Sequence, residues 1–148
     1  MSRLIAIFVL VFSASVACAQ QRRCTEAEAE RAMTQADTPR NWDTLYSSYK
    51  LYGQCDDGAI AEGYSESVAR ILVDHWSTLP RLASLATKNA RFRRFVLAHV
   101  DATLDINDLK KIRTSAKTQC SSELAAICAD LTKQADAALK DDASLGIK

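Results

Sequence analysis

Glycine and proline are scarce in this chain, with four of the first and two of the second in 148 residues. Folds rich in β-structure spend such residues at their many tight turns. No stretch here alternates apolar and polar residues as a half-buried strand does. A glycine-rich phosphate loop, a G-x-S-x-G nucleophile turn and an H-E-x-x-H metal pair are all missing. So are the paired Cys/His spacings of zinc sites and any C-x-x-C dithiol. No run of five or six like charges occurs, and 19 Lys+Arg stand against 18 Asp+Glu. That balance leaves no net field to draw in nucleic acid or an acidic membrane. The apolar run Leu4–Phe12 is far shorter than the roughly 18–20 residues a membrane-spanning helix needs.

What the N-terminus does have is the composition of an export signal. Arg3 precedes the apolar run, and Ala17-Cys18-Ala19 follows it with the small residues of a cleavage site. A lipoprotein signal would attach lipid at Cys18, but Ser15 stands where such signals carry a leucine-like residue, so cleavage near Ala19 is the expectation. Residues 1–19 then form the leader, 20–140 a single helical domain, and 141–148 a polar, frayed tail. The protein is expected in the periplasm or secreted, where Cys24, Cys55, Cys120 and Cys128 can oxidise. A chain of this size buries about two-thirds of its unfolded surface, so disulfides would reinforce a core and not replace one.

After the leader, the pattern is helix after helix. Thr25 and Glu28 have capping-box spacing for a first helix that reaches about Ala36. Thr38-Pro39 reads as the start of a second, which carries Trp42, Leu45, Tyr46, Tyr49 and Tyr52 and stops at Gly53. Asp56 reads as the cap of the third and longest, about residues 57–76, with Ile60, Tyr64, Val68, Ile71, Leu72 and His75 on one face. Glu62, Glu66, Arg70 and Asp74 fall opposite, with Glu66–Arg70 and Arg70–Asp74 as i,i+4 ion pairs. Gly63, in the middle, marks a kink or a close helix crossing. Pro80 opens a short helix to Lys88, Asn89 caps the next, Asp105 or Asn107 the sixth, and Ser121 or Ser122 the seventh. Short connections favour antiparallel neighbours, so the expected fold is all-α: a compact bundle or short stack of αα-hairpins with about seven helices and two disulfides.

Four cysteines allow three pairings. If the first two helices run antiparallel, Cys24 and Cys55 meet at the same end, and Cys120 and Cys128 face each other across one tight connection. Cys24–Cys55 and Cys120–Cys128 are therefore the expected structural bridges, each contributing on the order of 2–4 kcal/mol.

Candidates for chemistry are few. His75 and His99 both fall in apolar stripes, which predicts buried imidazoles bonded to a neighbouring carbonyl or hydroxyl. The sharper alternative is a small hydrolase or metal-dependent enzyme using both rings in one cleft. Asp56/Asp57 and Asp105/Asp108 sit at predicted helix starts, where negative charge is favoured in any case. No cofactor or metal is implied. The second helix holds three of the four tyrosines and one of the two tryptophans, and rings with polar tips are what recognition surfaces use. Arg91, Arg93 and Arg94 surround Phe92 on the polar side of the fifth helix. Tyr46, Tyr52, Arg91 and Arg94 are the expected binding residues.

The segment from Cys55-Asp56-Asp57-Gly58 to Glu62-Gly63-Tyr64 resembles the Cys and Gly-Tyr pattern of small exported helical immunity proteins of bacteria. The resemblance stops at Tyr64 and assigns no site residue. Missing catalytic motifs together with a stapled helical scaffold lead to the expectation of a protein that binds another protein of the envelope or extracellular space. An inhibitor or immunity factor is one form of it, and a structural or assembly factor of the envelope is the alternative.

Overall fold

The Thr25 hydroxyl accepts the Glu28 amide, while the Glu28 carboxylate takes the Thr25 amide at 3.0 Å. This reciprocal cap starts α1 (Glu26–Ala36). A computed structural model describes residues 22–145. The leader, Cys18, its cleavage site and residues 146–148 lie outside them. Among the described residues the fold is all-α, with seven helices and no strand.

The second helix begins later than Thr38-Pro39 suggests. α2 (Trp42–Tyr52) is capped by Asn41, whose side chain accepts the Thr44 amide at 3.0 Å. Thr38 donates back to the Gln35 carbonyl at the end of α1, and Arg40 donates to the carbonyls of Asp37 and Thr38. The connection thus uses its polar groups to satisfy the orphan carbonyls of α1, which leaves the cap of α2 to Asn41. A 3-10 turn, Gly53–Cys55, leads to α3 (Gly58–Asp74). Asp57, not Asp56, caps α3, because the Asp56 carboxylate is taken by His99. Gly58 has φ +50°, a conformation that favours glycine.

α3 ends at Asp74, where the backbone of His75 leaves the helical region and a 3-10 turn, Trp76–Thr78, follows. α4 (Leu79–Lys88) and α5 (Ala90–Ala98) share Asn89 as the end of one and the cap of the other. α6 (Ile106–Thr118) is capped by Asp105. Ser121 makes no side-chain cap, and a 3-10 turn, Ser122–Leu124, precedes α7 (Ala125–Leu145). At 21 residues α7 is the longest helix, against 17 for α3, and it continues through Asp141 and Asp142, where a frayed tail was expected.

α3 is central, packing on α1, α2 and α6, while α6 and α7 form the most extensive pairing. Tyr64, Val68, Ile71 and Leu72 of α3 are buried with Leu45, Leu109, Ile112 and Leu131. Gly63 marks a close crossing: a Cβ there would stand 3.0 Å from the Cβ of Ala36 and 3.3 Å from the Asp37 nitrogen. Across that contact Ser67 donates to the Ala36 carbonyl at 2.7 Å, and Arg70 donates to the Asp37 carbonyl. Arg70 keeps a 4.0 Å contact with Glu66. Its expected pair with Asp74 does not form, because the guanidinium is turned towards α1. Both expected disulfides are present, with Cα–Cα distances of 4.9 Å for Cys24–Cys55 and 6.4 Å for Cys120–Cys128.

Candidate functional site

Tyrosines at spacings of three along α2 present one row of rings, and in the folded chain that row lies over α5. Tyr46 meets buried Phe92 edge-on, 4.8 Å between centroids. Tyr49 lies 5.2 Å from Phe92 and 4.8 Å from Phe95. Offset and edge contacts of this kind hold rings in place beyond what area burial alone does. Asn89 donates to the Tyr46 hydroxyl at 3.3 Å, so the α4–α5 junction also fixes that ring. Gly53 leaves the room that the Tyr49 ring occupies; a Cβ there would fall 2.9 Å from it. The tyrosines are half-buried, with Trp42 buried beneath the start of the helix.

Cations rim these rings. Lys50 holds its ammonium 4.9 Å from the Tyr46 centroid. Arg91 and Arg94 are exposed on α5. Burial pushes the Tyr49 phenol above its ordinary value, and the nearby Arg91 and Arg94 guanidinium groups pull only partly against it. The structure thus gathers three of the four expected binding residues, Tyr46, Arg91 and Arg94, around Tyr49. Tyr52 stands at the far end of the row, half-buried against the core. Lys50 was not singled out in the sequence, although its position four residues after Tyr46 is the signal that places both on one helix face. Among the described residues, no carboxylate lies within 4.0 Å of Lys50, Arg91 or Arg94. Arg93, between the two arginines, is turned away to Asp130 of α7.

The two histidines do not share a cleft. His99 is buried, and both of its ring nitrogens face acceptors: Nδ1 the Phe95 carbonyl at 2.7 Å, Nε2 the Asp56 carboxylate at 3.0 Å. With both nitrogens so engaged, neither has a lone pair free for a metal or a substrate proton. Contrary to its place in the stripe, His75 is exposed, because the helix ends at Asp74 and the ring falls on the cap residue. At a rise of about 1.5 Å per residue, α3 separates His75 from the Asp56 end by roughly 25 Å. Among the described residues, no group of three or more His, Cys, Asp or Glu is placed to hold a metal ion.

His99 instead acts as a buried clamp between the end of α5 and the α2–α3 connection. Burial disfavours its charge, but the Asp56 carboxylate, the Phe95 carbonyl and Asp101 outweigh that and raise its pKa above the ordinary 6.5. A raised pKa means the clamp's stabilisation is complete below that ordinary value and is lost as pH rises through the folded-state value. Unfolding free energy measured by urea titration should therefore fall as pH rises above about 6.5. His99→Gln should flatten that fall, and an equally steep fall in the variant would place its cause elsewhere.

No known protein family, curated protein or solved structure matches this chain.

Proposed function

We propose that the chain is an exported, disulfide-stapled helical protein that binds another protein of the cell envelope or extracellular space, in the manner of an inhibitor or immunity factor. The face formed by α2 and α5 is where it binds. The observation that carries this reading is the set of half-buried tyrosines rimmed by exposed Lys50, Arg91 and Arg94. Tyrosine and arginine are the residue types that dominate binding hot spots. The rings are already held by Phe92, Phe95 and Asn89, so little conformational freedom remains to be lost on association.

The test is retention of a partner from envelope extracts of the native host on the immobilised, oxidised protein, followed by titration of the purified partner. One stoichiometric partner is expected, and Tyr46→Ala should weaken its binding by on the order of tenfold. A broad set of envelope structural proteins would point to an assembly role. No specific partner at any salt concentration would refute the reading.

A further inference from the structure

We infer that the α2–α5 face receives an acidic segment of the partner protein, its carboxylates pairing with Lys50, Arg91 and Arg94 while an apolar side chain rests on Tyr46 and Tyr49. This rests on the protein-binding reading above and names the chemistry of the partner. Three arginines of the fold meet a carboxylate of another helix: Arg81 on α4 holds Asp43 of α2, Arg93 on α5 holds Asp130 of α7, and Arg113 on α6 holds Asp136 of α7. Arg91 and Arg94, on the same helix as Arg93, have no carboxylate within 4.0 Å among the described residues, and neither has Lys50 beside Tyr46. Arginine forks match carboxylates in paired, charge-assisted hydrogen bonds, and they keep their charge at any working pH.

The surroundings narrow the occupant further. The chain is close to charge-balanced overall, so attraction acts locally and the partner must carry its negative charge where it docks. Nucleic-acid binders that depend on phosphate contacts commonly make some 6–10 of them, more than three cations supply. Lipid headgroup recognition is associated with clusters of about 4–8 basic residues. Half-buried rings between the cations suit a mixed acidic and apolar polypeptide better than either.

The test is an amide chemical-shift titration of the oxidised protein with three probes: acetylated hexaglutamate amide, its hexalysine counterpart, and phosphatidylcholine vesicles containing phosphatidylglycerol. Hexaglutamate should shift amides of α2 and α5 around Lys50, Arg91 and Arg94, with affinity falling as salt rises. The double variant Arg91→Glu/Arg94→Glu, its fold checked by unchanged dispersion of the remaining amides, should bind hexaglutamate on the order of tenfold more weakly. Hexalysine should leave this face unshifted. Shifts elsewhere in the bundle, indifference to the charge reversal, or binding to the vesicles without binding to hexaglutamate would overturn the inference. A captured partner that binds wild type and the charge-reversed variant equally would overturn it too, while leaving the protein-binding reading intact. Failure to retain any partner would remove both.

Discussion

Phe92→Ala should lower the unfolding free energy by about 3–5 kcal/mol, the range for deleting a buried aromatic ring. Phe92 is fully buried, at 0 % exposure, and it supports Tyr46 at 4.8 Å, Tyr49 at 5.2 Å and Phe95 at 6.1 Å. The loss therefore has two components: burial and dispersion at the cavity itself, and the ring contacts, edge-on to Tyr46 and tilted to Tyr49, that orient the two tyrosines. α5 is only nine residues long and has few other large side chains with which to close the gap. Because the same ring underlies the proposed binding face, partner affinity should fall along with stability. Urea unfolding followed by tryptophan fluorescence measures the first effect. A cost below about 1 kcal/mol would mean that the site collapses around the cavity and that Phe92 is not the support described here.

Removing the Cys24–Cys55 bridge by the paired substitution Cys24→Ser and Cys55→Ser is expected to cost about 3–4 kcal/mol in the chain-entropy account. The bridge joins residues 31 apart in sequence, so its absence releases the whole α1–α2 hairpin in the unfolded ensemble. It also ties the start of α1 to Cys55, next to the Asp56 that holds His99. Cys120–Cys128 spans only 8 residues, and its removal should cost less, about 2–3 kcal/mol on the same account. Denaturant midpoints for the two double-serine proteins settle the order. If the short bridge proved the costlier one, native-state contacts at the α6–α7 turn, and not loop closure, would dominate.

Much of the architecture was legible because apolar spacing and caps agree: Thr25 with Glu28, Asn89 and Asp105 each start the helix they were expected to start. The disulfide pairing followed from an antiparallel arrangement of the first two helices and from the tight connection between the last two. Errors arose where a polar residue had two possible duties. Thr38 and Asp56 both look like caps in the sequence, but one closes α1 through the Gln35 carbonyl and the other pairs with His99, 43 positions away. Long-range partners leave no trace in local spacing. His75 illustrates the reverse case: its stripe position is correct for a continuous helix, but the helix stops one residue earlier and the ring turns outward. The α2 stripe and the arginines of α5 were visible as separate features. What could not be read was that α5 lies beneath α2 with Arg93 turned to Asp130 of α7, so that Arg91 and Arg94 come to rim the same tyrosines.

Hydrogen exchange of the oxidised protein, free and bound to its purified partner, locates the binding surface without any substitution. Protection concentrated in α2 from Trp42 to Tyr52 and in α5 from Ala90 to Ala98, with α6 and α7 unchanged, is the expected result. Protection confined to α6 and α7, with α2 and α5 exchanging as in the free protein, would contradict it and place recognition on α6 and α7.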